Sequence, residues 1–139
     1  MHIYYLFHIN PDVFDIHFND GYILYKTLEN IYNLDAKNFE YGISLYNQLC
    51  TIFNIEILEK FLANKYDSKI KKTHHVYILN NDYIGETTFL KIGPSRIYIK
   101  SNINLPSIIR DFAFYNQKIF VCDFTNSYFF WLSGKYNII

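Results

Sequence analysis

The sequence predicts an α/β (α+β) fold in a single domain spanning residues 1–139: an N-terminal strand, a group of helices, then mostly antiparallel strands with one further helix and a C-terminal hairpin. Three observations carry this prediction. Apolar residues recur at helical spacing through the first half of the chain, and after the lysine-rich stretch near residue 70 the period becomes that of strands. The runs Phe120-Val121-Cys122-Asp123-Phe124 and Tyr128-Phe129-Phe130-Trp131-Leu132, separated only by Thr125-Asn126-Ser127, read as a hairpin of two aromatic strands. At 139 residues and 50% hydrophobic content the chain has the size of one domain. A chain of this length buries about 68% of its unfolded surface, enough for one core.

Each element has its own signal. Residues 3–9 are strand-like. Asn10-Pro11-Asp12 then marks a helix start, with asparagine as N-cap, proline at the first helical position and a carboxylate near the positive end of the dipole. This helix is expected to end by Asn19. Asp20 can cap a second helix, whose Leu24, Leu28 and Ile31 recur at helical spacing through Tyr32. Asp35 reads as another N-cap, before a third helix with Phe39, Ile43, Tyr46 and Cys50 in one stripe. A fourth runs from about Asn54 to Lys65, with Leu58, Phe61 and Leu62 inward and Glu56 placed four residues before Lys60.

Lys69, Lys71 and Lys72 are expected in a solvated loop. Val76 to Leu79 form a strand that breaks at Asn80-Asn81-Asp82. Residues 87–92 and 96–100 make two more, joined by Gly93-Pro94-Ser95, where glycine and proline set the turn dihedrals. A last helix from about Pro106 to Tyr115 turns Ile108 or Ile109, with Phe112, inward. The late sheet is expected to pack on it through Trp131.

Composition narrows the function classes. Thirteen Lys and Arg balance thirteen Asp and Glu, so the chain lacks the net positive charge that usually draws a protein to nucleic acid. The longest apolar runs fall well short of the roughly 18 residues that cross a bilayer. The opening Met-His-Ile-Tyr-Tyr has no basic region before an apolar core, so no secretory signal is expected and the cytoplasm is the expected compartment. Cys50 and Cys122 sit among apolar residues, as free buried thiols do in a reducing environment.

No constellation of catalytic type emerges. A catalytic histidine needs an orienting partner and a pocket. His74 and His75, adjacent on an expected strand, point to opposite faces and cannot chelate one ion together. His2 and His8 share a face of the first strand without a carboxylate or cysteine at ligand spacing. Cys50 has Leu49, Ile52 and Phe53 around it rather than a base. Asp123, inside an apolar strand, is expected to accept hydrogen bonds that lock the hairpin turn. No catalytic residue, metal or cofactor is therefore expected.

Binding remains. On the first helix Val13 and His17 share one face, and Phe14 and Phe18 share the neighbouring one. One face must meet the sheet, which leaves the other for a partner. The expected arrangement buries Phe14 and Phe18 and exposes Val13 and His17.

Several stretches together resemble a known family. The hairpin pattern Asp123, Phe124, Phe129, Trp131, Leu132 is similar to the ending of the SirA family, sporulation inhibitors of replication in endospore-forming bacteria. The opening His2-Ile3-Tyr4-Tyr5-Leu6-Phe7-His8-Ile9, the turn Phe18-Asn19-Asp20-Gly21, the helix from Ile23-Leu24-Tyr25 to Leu28, and the strand pair Gly85 to Leu90 and Gly93 to Ile99 follow that family in order and spacing. The family usually has Gly-x-Glu after the first helix, where this chain has Asn19-Asp20-Gly21.

The resemblance implies a non-enzymatic protein that binds the N-terminal domain of the replication initiator DnaA through the first helix and the following helical region. Aligned through Tyr5, Phe7, Ile9 and Phe18, the family's two aromatic contact positions fall on Val13 and His17. A one-residue shift puts them on Phe14 and Phe18. Gln48 matches a contact glutamine, and Thr51 stands in place of a tyrosine. Alternatives from other classes are a small single-stranded nucleic-acid-binding module using Lys69, Lys71, Lys72 and surface tyrosines, and an enzyme with His2, His8 or Asp123 in a cleft.

Overall fold

Tyr4 and Leu6 of the first strand, β1 (His2–His8), bury on one side of the sheet, while Tyr5 and Phe7 bury on the other. Alternate side chains of a strand point to opposite faces, so a strand buried on both faces lies between two layers. The computed structural model describes residues 1–34, 36–74 and 76–133 and places β1 inside such a stack. Six further strands are β2 (Ile70–Thr73), β3 (Val76–Asn81), β4 (Glu86–Ile92), β5 (Ile97–Ser101), β6 (Ile119–Asp123) and β7 (Tyr128–Trp131). They form one antiparallel sheet in the order β2-β3-β4-β5-β1-β6-β7. The result is a single α+β domain.

Helices α1 (Pro11–His17), α2 (Tyr22–Tyr32) and α3 (Phe39–Leu49) lie on the Tyr5 and Phe7 side. Leu24, Tyr25 and Leu28 of α2 seal that core against Phe120, Cys122 and Trp131. Helix α4 (Ile55–Tyr66) and the short α5 (Ser107–Asp111), continued as a 3-10 turn over Phe112–Phe114, cover the Tyr4 and Leu6 side. There Leu58, Leu62, Ile108, Ile109 and Phe112 are fully buried against Ile97, Ile99, Ile119 and Val121. Both Ile108 and Ile109 face inward because α5 is a tight turn rather than a long amphipathic helix.

Local signals act as expected at several points and differently at others. Glu56 and Lys60 pair at 3.4 Å, and the fourth helix starts where expected, with Asn54 found as its cap, accepting the Ile57 N–H at 3.2 Å. Asp20 accepts the Tyr22 N–H at 3.1 Å, although Gly21 holds the cap position of α2. Asn10 occupies the cap position of α1, yet its side chain makes no capping bond and is spent elsewhere. The stripe Phe39, Ile43, Tyr46, Cys50 does not bury as one: Cys50 is in the core, but Phe39 is 66% exposed, because α3 meets the sheet only at its C-terminal end.

Residues 70–73, expected in a loop, form β2, with Ile70 opposite Leu79 and Lys71 opposite Ile78. This is an edge strand, where lysines discourage pairing with another chain. Trp131 faces α1 rather than the last helix. It lies opposite Phe120, and both point to the α1 side, while α5 sits on the other. The expected cap Asp35 and His75 lie outside the described residues.

Candidate functional site

Helix α1 contains no buried residue, although it stands over the aromatic end of the core. Phe14 meets Trp131 edge-on at 4.8 Å between ring centroids and Phe18 at 5.0 Å, and the Lys118 ammonium lies 5.4 Å from the Phe14 ring centre. The Trp131 indole N–H donates to the His17 carbonyl at 3.2 Å. Val13 also leans on this cluster. The expected division into a buried Phe14 and Phe18 face and an exposed Val13 and His17 face is therefore corrected: Phe14, Val13 and His17 are all half-buried, and Phe18 is exposed. Seven residues make two turns, and such a short helix can lay only its inner edge on the sheet.

The second part of the site is joined to the first by Asn10. Its backbone N–H donates to the Leu49 carbonyl at 2.9 Å, and its side-chain amide donates to the Gln48 carbonyl at 3.0 Å. The Asn10 side-chain oxygen accepts from the Thr51 hydroxyl, and the Thr51 N–H donates to the His8 carbonyl at 2.8 Å. An isolated bridge pairs Ile9 with Cys50. The start of α1 and the end of α3 thus form one continuous surface, with Gln48 and Thr51 exposed beside the helix that carries Val13 and His17.

Sequence reasoning missed two members of this surface. Ile16, 74% exposed, is the most accessible apolar side chain of α1, and Ile52, 64% exposed, follows Thr51 directly. Both belong to the signal of an apolar residue outside the core stripe. Pairwise spacing against Phe14 and Phe18 alone does not detect it.

The other candidate residues disperse. His2 and His8 sit at opposite ends of β1, His2 stacked on Tyr4 and His8 between Phe53 and Tyr115. Burial holds the His8 imidazole below its ordinary basicity, opposed by a hydrogen bond to the Ile52 backbone, and its Nδ1 atom is buried without a hydrogen-bond partner among the described residues. His74 lies in the turn between β2 and β3 with φ of 58°, not on a strand. Asp123 does what the turn requires, accepting the Thr125 and Asn126 N–H groups at 3.1 Å each and the Asn126 side-chain amide at 2.8 Å.

Both cysteines are free and buried, with the Cys50 thiol pushed up to about 12 and the Cys122 thiol well above its ordinary value, in both cases first by burial. A thiol so rarely ionised is a poor nucleophile. Among the described residues no group of three His, Cys, Asp or Glu side chains could hold a metal ion. The lysine cluster is not one patch, because alternation along β2 sends Lys71 and Lys72 to opposite faces. Lys72 pairs with Glu59 at 2.9 Å and lies over the Tyr77 ring.

A cleft of about 320 Å³ opens between α2, α3 and the β4–β5 turn, lined by Leu28, Ile31, Phe39, Ile43, Tyr46 and Arg96 among others. Its lining is mostly apolar, with Asn38, Ser95 and the Arg96 guanidinium as polar members, and that guanidinium stacks 5.1 Å over the Tyr5 ring. No described helix is long and apolar enough to cross a membrane. No protein-family model matches the sequence, and a search of curated proteins returns no match.

Proposed function

We propose that this chain is a cytoplasmic, non-enzymatic inhibitor of chromosome replication of the SirA type, associated with sporulation, which binds the N-terminal domain of the initiator DnaA. The binding surface is α1 with the end of α3, carrying Val13, Phe14, His17, Phe18, Gln48 and Thr51. Inhibition is by occupancy: a small rigid surface covers a site that the initiator needs for self-assembly or for loading its partners.

The observation that supports this reading most is the Asn10 clasp, which makes one surface of the two segments the family resemblance singles out. The two backbone segments are already held side by side, so less ordering entropy opposes association. Ile16 and Ile52 add exposed apolar area beside them, the kind of side chain that is desolvated at an interface centre. The discriminating experiment is co-purification of the tagged chain with the host's initiator from sporulating cells. Recovery of the initiator by the wild type and its loss with His17→Glu supports the reading; equal recovery by both contradicts it.

A further inference from the structure

The sheet face that carries Tyr5 and Phe7 continues past β1 onto β5, where Tyr98 still packs on that core with its ring 5.4 Å from Tyr5, and then onto β4, β3 and β2, which no described helix of that core reaches. Registered pairs set one row across it: Lys71 opposite Ile78, Ile78 opposite Phe89, Phe89 opposite Lys100, and Lys100 opposite Ile3. A second row places Lys91 opposite Tyr98 and Tyr98 opposite Tyr5. Lys71 and Lys91 are exposed, and Ile78, Phe89, Tyr98 and Lys100 are half-buried. Ile78 and Phe89 belong to neither core cluster, so burial in the fold does not account for them.

The charge on this face is of one sign. Lys71, Lys91 and Lys100 form no ion pair among the described residues, and the Lys91 ammonium lies 5.9 Å over the Tyr98 ring. The only carboxylate on β2–β5, Glu86, is turned to the opposite face, where it is buried and accepts from the Thr88 hydroxyl at 2.5 Å. The zero net charge of the chain therefore hides a locally cationic surface with aromatic rings at its centre.

We propose that this open half-sheet binds single-stranded nucleic acid, with bases stacking on Phe89 and Tyr98 and phosphates held by Lys71, Lys91 and Lys100. Phe89 and Tyr98 are diagonal neighbours on adjacent strands, positions whose backbones lie about 7 to 8 Å apart. Half-buried rings on a sheet, flanked by cations, can present a face to unpaired bases because every base has a π face and every nucleotide a charge. A duplex hides its base faces and offers only the charge. An acidic peptide would use the lysines and leave the rings idle. This face is distinct from the α1 and α3 surface, so the two activities are separable.

The test is fluorescence anisotropy of a labelled fifteen-nucleotide oligothymidylate with the full chain. Binding at 50 mM salt is expected to weaken with salt at a log-log slope of about −2, as three phosphate contacts on a single strand imply. Lys71→Ala, Lys91→Ala and Lys100→Ala combined should weaken it at least about tenfold, and Phe89→Ala at least about threefold by loss of one stack. Lys60→Ala, on the far side of the molecule, should change nothing. The triple variant should retain its melting temperature and any affinity for the initiator domain. Absence of binding by the wild type at 50 mM salt, or wild-type binding by the triple variant, overturns the proposal. So does equal capture of polyglutamate with no effect of Phe89→Ala, which would assign the face to an acidic polypeptide.

Discussion

The Trp131 indole N–H donates to the main-chain carbonyl of His17 at 3.2 Å, tying the edge strand β7 to the last turn of α1. The chain's only tryptophan thus serves the core and the candidate site together, since its ring also supports Phe14 and packs on Phe120 at 4.7 Å.

Trp131→Ala is accordingly expected to cost about 3 to 5 kcal/mol, a large share of a small domain's stability. Trp131→Phe keeps most of the stacking and gives up the hydrogen bond, for a loss near 1 kcal/mol. Denaturant midpoints of the two variants measure this order. An unchanged midpoint for Trp131→Ala would mean that the ring is a surface anchor and not part of the α1 seat.

The hairpin turn gives a second test. Asp123 accepts three hydrogen bonds from Thr125 and Asn126, and its residue is buried. Asp123→Ala leaves those donors to find water at the turn and is expected to cost about 1 to 3 kcal/mol. Asp123→Asn keeps one acceptor oxygen and should fall between the wild type and Asp123→Ala. Thermal unfolding of the three proteins checks the ranking.

Much of this was legible in the sequence because the signals are local. The hairpin, the Gly93-Pro94-Ser95 turn, the start of the fourth helix near Asn54 and its Leu58 and Leu62 stripe each depend on residues close together in the chain. What the sequence hid depends on where elements meet. Asn10 carries the marks of an N-cap, but its side chain is claimed by the Gln48 carbonyl and the Thr51 hydroxyl across the chain. The β2 strand has one apolar residue in four and no alternation to reveal it; its pairing with β3 makes it a strand. The orientation of α1 was ambiguous for a related reason. Val13 and Phe14 both reach the core because a two-turn helix rests on Trp131, a residue 114 positions from His17.

His8 sets a pH dependence. Its imidazole is held below the ordinary value of 6.5, first by burial and further by the Lys118 charge, against the Ile52 hydrogen bond. Lys118 is the charged group facing it; the other neighbours are Phe53 and Tyr115. A base with a depressed folded pKa binds fewer protons when folded than when unfolded. Its stabilising contribution is therefore complete above about pH 6.5 and is lost as pH falls through the folded value. The melting temperature should drop between pH 7.5 and 5.5, and the part of that drop due to this residue should vanish in His8→Phe. An identical pH profile for wild type and variant would remove His8 from the account.

If α1 and the end of α3 form one partner surface, a single titration will register the loss of either half. Isothermal calorimetry would measure the full chain and the double variant His17→Glu with Gln48→Ala against the purified N-terminal domain of the host's DnaA. Gln48 is exposed and His17 half-buried, and the bonds they give the fold use their carbonyls, so the melting temperature should hardly move. A charge desolvated at an interface centre is costly. The wild type is expected to bind, and the double variant to lose at least about tenfold in affinity, or 1.4 kcal/mol. No heat of binding from the wild type, or equal affinity in the folded double variant, would contradict it.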